Sequence, residues 1–173
     1  MLTILAIVGL SCSPPVTESA PTEDTGSAPA NPLQGVWHIE SVERVGPEGD
    51  RTPSPTYGSL VIFTEGYYSF ANTYGETPRL PFEGSGDGTV EEKVAAFDTI
   101  TVNTGTYEVD GSSLTTHPMA ARYQSYAGGR GEYEWNVEGN TLQLTLKQEF
   151  LADGVASFGT DGSEWNFTLT RLE

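Results

Sequence analysis

One thiol, two imidazoles and a set of aromatic hydroxyls carry the chemistry this sequence can offer. The thiol is Cys12, the single cysteine, so no internal disulfide forms. It follows directly on Ser11 and the apolar run Leu2 to Leu10. A thiol in that position suits alkylation of its sulfur, because the thiolate is the strong nucleophile among side chains. The imidazoles are His38 and His117. His38 and Glu40 share the strand face opposite Trp37, which predicts exposure and no metal role. His117 stands beside Pro118, with Met119, Arg122, Tyr123 and Tyr126 close behind. A histidine, an arginine and two tyrosines near the mouth of a cavity could orient the polar head of a ligand. Tyr67, Tyr68, Phe70, Tyr74, Tyr107 and Trp135 could line such a cavity, or could equally be packing.

Catalytic and cofactor patterns are missing. There is no Gly-x-Ser-x-Gly, no Walker loop and no His-Glu-x-x-His, so no catalytic residue is assigned. Two histidines without a second cysteine make zinc a poor fit, and no metal or cofactor is expected. Gly84-Ser85-Gly86-Asp87-Gly88 is phosphate-like only in composition and reads as a loop. The net charge is −16, from 24 acidic and 8 basic residues. Nucleic-acid binding needs clustered Lys and Arg, so that class is excluded. The acidity is spread along the chain and reads as a solvated surface, with a saline habitat or a cation patch as other readings.

The elements that must hold these side chains are strands. A chain of 173 residues, 36% hydrophobic and 10% aromatic, suits one core plus short extras. Tyr133, Trp135 and Val137 alternate with polar neighbours, as do Leu142, Leu144 and Leu146, and again Trp165, Phe167 and Leu169. Each run has one buried and one wet face. Glu138-Gly139-Asn140, Asp110-Gly111 and Thr64-Glu65-Gly66 are tight-turn signals between neighbouring runs. With Val36–Val45 as the opening strand, the count reaches eight. A helix is predicted over Thr89–Phe97, with Thr89 as N-cap, Glu91 and Glu92 in the first turn, and Val90, Val94 and Phe97 on one face. Such a helix could cover one barrel end. The predicted fold is all-β: an antiparallel up-and-down barrel of eight to nine strands, over residues 33–173, with one short helix.

Gly35-Val36-Trp37 opens the first strand and resembles the Gly-x-Trp signature of lipocalins. The wider pattern is similar to bacterial lipocalin-like domains: Tyr57-Gly58-Ser59-Leu60-Val61-Ile62-Phe63, then a helix, then Gly105-Thr106-Tyr107-Glu108-Val109, and a last strand ending in Arg171-Leu172. The resemblance implies a calycin-type barrel with a possible ligand cavity, and a late arginine lying across the first-strand tryptophan. Parity agrees with such a contact. Arg171 shares a face with Trp165, Phe167 and Leu169, and an antiparallel last strand would set it beside Trp37. Gly35, Trp37 and Arg171 are therefore expected to close one barrel end.

The first residues resemble a bacterial lipoprotein. Val8-Gly9-Leu10-Ser11-Cys12 is similar to a lipobox, in which the cysteine takes a diacylglycerol and a peptidase cuts before it. The position three before the cysteine holds Gly9 where Leu is usual, and no Lys or Arg precedes the apolar run, which points to a start upstream of Met1. The resemblance implies a signal peptide over residues 1–11 and a lipidated Cys12 carrying acyl chains such as palmitate. Residues 12–32 are rich in Ser, Pro, Thr, Ala and Glu and are expected to be a disordered tether. The location implied is the bacterial envelope, with Ser13 after the cysteine leaning towards the outer membrane.

Three functions remain open on this reading. A tethered, monomeric barrel could bind a small apolar or amphipathic ligand. It could be packed solid and serve as an interaction module of the envelope. It could be an enzyme of the cyclase or isomerase kind, which would need ionisable groups such as His117 and Arg122 converging inside.

Overall fold

Short alternating runs separated by glycine turns become strands that pair with their chain neighbours. The computed structural model describes residues 31–82 and 87–173. Cys12, the expected signal peptide, nearly all of the expected tether and Gly84–Gly86 lie outside the described residues. The elements are β1 (Gly35–Val45), β2 (Arg51–Ser54), β3 (Thr56–Phe63), β4 (Tyr67–Tyr74), α1 (Val90–Asp98), β5 (Ile100–Asp110), β6 (Ser113–Ala121), β7 (Arg130–Glu138), β8 (Thr141–Phe150), β9 (Ala156–Phe158) and β10 (Glu164–Arg171). A 3₁₀ turn, Gln124–Tyr126, lies between β6 and β7.

The order β10-β1-β3-β4-β5-β6-β7-β8 closes on itself because β10 also pairs with β8. The fold is thus a closed antiparallel barrel of eight strands, with two short strands added outside that ring. β2 pairs with the far half of β1, and β9 extends β8. Closure removes the exposed edges that an open sheet would present.

The interior is filled from the alternating faces. Trp37, Ile39, Val61, Phe63, Leu114, Leu142, Leu144 and Leu169 are buried there. A bulge between Ile39 and Ser41 shifts the parity of β1, so that Val42 is the next inward residue. β6 runs on through Pro118 to Ala121, four residues beyond the strand expected to end at His117. Proline is tolerated because a bulge falls there: Thr104 pairs with Ala120 and Gly105 with Pro118. Gly105 is required at this crossing, since a Cβ on it would lie 2.0 Å from the His117 carbonyl oxygen.

The helix forms as expected but not where its apolar face suggested. Thr89 caps it, accepting from the Glu92 amide at 3.2 Å while the Glu92 carboxylate accepts from the Thr89 amide at 2.6 Å. α1 buries none of its residues, and Val90, Val94 and Phe97 are exposed. It therefore neither plugs nor covers the barrel. Arg122 holds it from outside: its guanidinium donates to the Phe97 carbonyl, stacks on Tyr123 at 3.8 Å and lies 4.9 Å from the Phe97 ring.

Candidate functional site

The two barrel ends differ. At one end β1 starts and β10 finishes, and Trp37 pairs directly with Arg171. The Trp37 indole donates to the Leu33 carbonyl at 2.8 Å. The Arg171 guanidinium lies 4.1 Å from the centre of the Trp37 ring and donates to the carbonyls of Gln34 at 2.6 Å and Pro32 at 2.7 Å. Gly35 lets the chain pass beneath, because a Cβ there would meet Arg171 Nη1 at 2.4 Å. Tyr107 is buried at the same end. Its hydroxyl donates to the Thr64 carbonyl at 2.6 Å and accepts from Asn31 at 3.0 Å. Burial holds that phenol above its ordinary pKa. With Leu33, Trp37 and Leu169 wholly buried, this end is sealed.

Further along the barrel the chemistry changes. Phe70, Tyr133, Trp135 and Trp165 belong to inward faces yet are only half-buried. Tyr133 is enclosed so deeply that burial drives its hydroxyl well above the ordinary phenol range, and it still keeps accessible surface.

Polar groups gather beside these rings. Tyr68 of β4, Thr116 of β6, Tyr126 of the 3₁₀ turn, Tyr133 of β7 and Glu149 of β8 face one another there, each phenol feeling the Glu149 carboxylate. Gly131 lies beneath them: its missing Cβ would sit 2.6 Å from the Tyr126 hydroxyl and 2.9 Å from Thr116 Oγ1. The Thr116 hydroxyl is used by the Gly131 carbonyl at 3.4 Å. The Tyr68 and Tyr126 hydroxyls are buried against the Thr116 hydroxyl, while the Trp135 Nε1 is buried and makes no hydrogen bond. An orphaned buried donor of that kind costs about 1–3 kcal/mol. Burial also raises the pKa of Tyr68, Tyr126 and Glu149, and a hydrogen bond from Ser157 to Glu149 at 2.9 Å opposes that rise only in part.

The residues proposed from sequence separate into three places. Gly35, Trp37, Arg171 and Tyr107 meet at the sealed end. Trp135 faces the interior. The remaining four do not converge on the interior, contrary to the expected mouth cluster. Tyr67 is 62% exposed, because Tyr68 takes the inward position on β4. His117 points outward between the inward Thr116 and Pro118, opposite Thr106. Arg122 and Tyr123 are occupied in pinning α1.

The interior cluster could be reached from sequence only in part. Leu114, Thr116 and Pro118 alternate inward, and Gly131 and Tyr133 continue the face of Trp135. Glu149 could not. It has the wrong parity relative to Leu142, Leu144 and Leu146, and a bulge at Lys147 turns it inward opposite Gly131.

A closed eight-stranded barrel, sealed at one end by a stacked tryptophan–arginine pair and polar-lined within, defines a calycin-type barrel. The family model for the lipocalin-like domain matches residues 34–169, most of the chain, and the chain belongs to that family. Comparison with curated proteins and with solved structures gives no significant match.

Proposed function

We propose that this barrel binds a small apolar or amphipathic molecule in its interior, as a lipid-anchored protein of the bacterial envelope. The observation that carries the ligand reading is the closed barrel of a lipocalin-like domain, with the Trp135 indole donor buried and unpaired on its inward face. Catalysis is not part of the reading, since His117 and Arg122, the ionisable pair it would need inside, face outward. The anchor rests on Cys12 and the residues before it. The described chain begins at the sealed end, where Asn31 and Leu33 dock. A lipid on Cys12 would therefore tether that end, with Ser13 to Pro32 reaching at most about 70 Å when fully extended. The test is native mass spectrometry of the lipidated protein purified from its membrane. Binding predicts a non-covalent adduct that organic extraction removes. An adduct-free spectrum under gentle conditions, with no uptake of added apolar probes, would favour a solid interaction module.

A further inference from the structure

We infer that two copies of this chain pair through α1, side by side and parallel. The apolar stripe of each helix lies against the other, and Lys93 of each copy meets Asp98 of the second copy.

α1 turns its small side chains towards its own chain and its large ones outward. Ala95, Ala96 and Thr99 line a groove with residues 77–82, while Val90, Val94 and Phe97 are 71%, 54% and 47% exposed. An apolar helical stripe ordinarily faces a core. The barrel does not cover this one, since α1 buries none of its residues. The helix is nonetheless preformed, with its first turn closed by the Thr89–Glu92 capping box. It can offer the stripe to a partner without the cost of nucleation.

The spacing of stripe and charges names the occupant. Val90, Val94 and Phe97 follow the d, a and d positions of a heptad. Lys93 then falls at g and Asp98 at e, on opposite flanks of the stripe. In a parallel pair the g residue of one helix meets the following e residue of the other, so Lys93 meets Asp98 of the second copy. Two-fold symmetry repeats that contact on the other flank. An antiparallel pair would set lysine against lysine, and Glu91 and Asp98 against their own kind.

Both charges are available. Neither Lys93 nor Asp98 enters an ion pair among the described residues. Asp98 stands at the negative end of the helix dipole, with no basic residue in the last turn. Arg122 reaches the Phe97 carbonyl and not that carboxylate. A lysine brought by a second copy relieves this end of the helix. A helix of 9 residues covers less than the roughly 1,000 Å² of a lasting interface, so the dimer is weak, with Kd on the order of 0.1 mM.

Sedimentation equilibrium of the full chain carrying Cys12→Ser, from about 10 μM to 1 mM, tests this. A monomer–dimer equilibrium is expected. Lys93→Glu and Asp98→Lys should each weaken it about fivefold or more, and the two together should bring it back to within about twofold of the parent. Both positions are exposed, so the fold tolerates either change. Val90→Cys in the same background should oxidise to a disulfide between copies, because matching d positions face each other in the parallel pair. A chain monomeric throughout that range would overturn the inference, as would a dimer indifferent to both charge reversals. Cross-linking of Val90→Cys to Phe97→Cys, and not to its own kind, would overturn it by showing an antiparallel pair. Phosphatidylcholine vesicle binding that Val94→Asp abolishes, in a chain that stays monomeric, would assign the stripe to lipid instead.

Discussion

The Arg171 guanidinium lies over the Trp37 indole at 4.1 Å, on paired residues of the first and last barrel strands. One side chain thus joins both ends of the domain and ties down the chain before β1 through Gln34 and Pro32. Arg171→Ala should cost about 2–4 kcal/mol, combining two charged hydrogen bonds with a cation–π contact. Arg171→Lys should recover less than half, because a point charge cannot reproduce two forked donors and a flat stack. Urea unfolding of both variants checks this, and equal stability of Lys and Ala variants with the parent would show the contact to be idle.

Gly105→Ala should be far more damaging than its size suggests. The added methyl would meet a strand backbone 2.0 Å away, which no rotamer change relieves. A loss of about 3 kcal/mol or more is expected. Gly66 has open space around its Cβ position, so Gly66→Ala should stay within about 0.5 kcal/mol. Thermal denaturation of the pair separates close approach from a general intolerance of alanine.

Burial raises the Glu149 pKa above its value in the unfolded chain. Folding then favours the protonated acid, so this group supports the fold at low pH and works against it once ionised. Stability attributable to it falls as pH rises from below the ordinary carboxylate value through the raised one. Glu149→Gln should therefore be more stable than the parent near pH 7, with the gap closing below about pH 4. Urea midpoints at the two pH values decide; a variant equally destabilised at both would mean that the Ser157 contact outweighs desolvation.

Arg122 is expected to act locally. Arg122→Ala removes the clamp on Phe97 and Tyr123 but touches no interior packing. Amide hydrogen exchange should accelerate across Val90–Asp98 while global stability moves by less than about 1 kcal/mol. A global loss instead would place α1 in the cooperative core.

Under the proposed lipid anchor, Cys12→Ser should release the protein from membranes. Fractionation of cells expressing the variant measures it, and continued membrane association would refute the anchor.

How far the residues alone reached follows from where periodicity held. Trp165, Phe167, Leu169 and Arg171 keep strict alternation, and the fold class, the inward arginine and its pairing partner could all be read from that. Alternation fails where a bulge resets it. One such reset carries β6 through Pro118, and another, at Lys147, turns Glu149 inward. Periodicity also cannot say which apolar face is covered. Val90, Val94 and Phe97 form a proper helical stripe, yet the stripe stays in solvent because Arg122 fixes α1 against the outside. The proposed His117–Arg122–Tyr123 group assumed that neighbours in sequence point together, whereas a strand sends His117 and Thr116 to opposite sides.

The central claim is that the ligand sits inside the barrel, and nuclear Overhauser contacts from an added apolar alkyl-chain probe test it most directly. Contacts from the probe's methylenes to ring protons of Phe70, Tyr133 and Trp135 are predicted. Contacts confined to the exposed Leu80, Val94 and Phe97, with none to those interior rings, would contradict it.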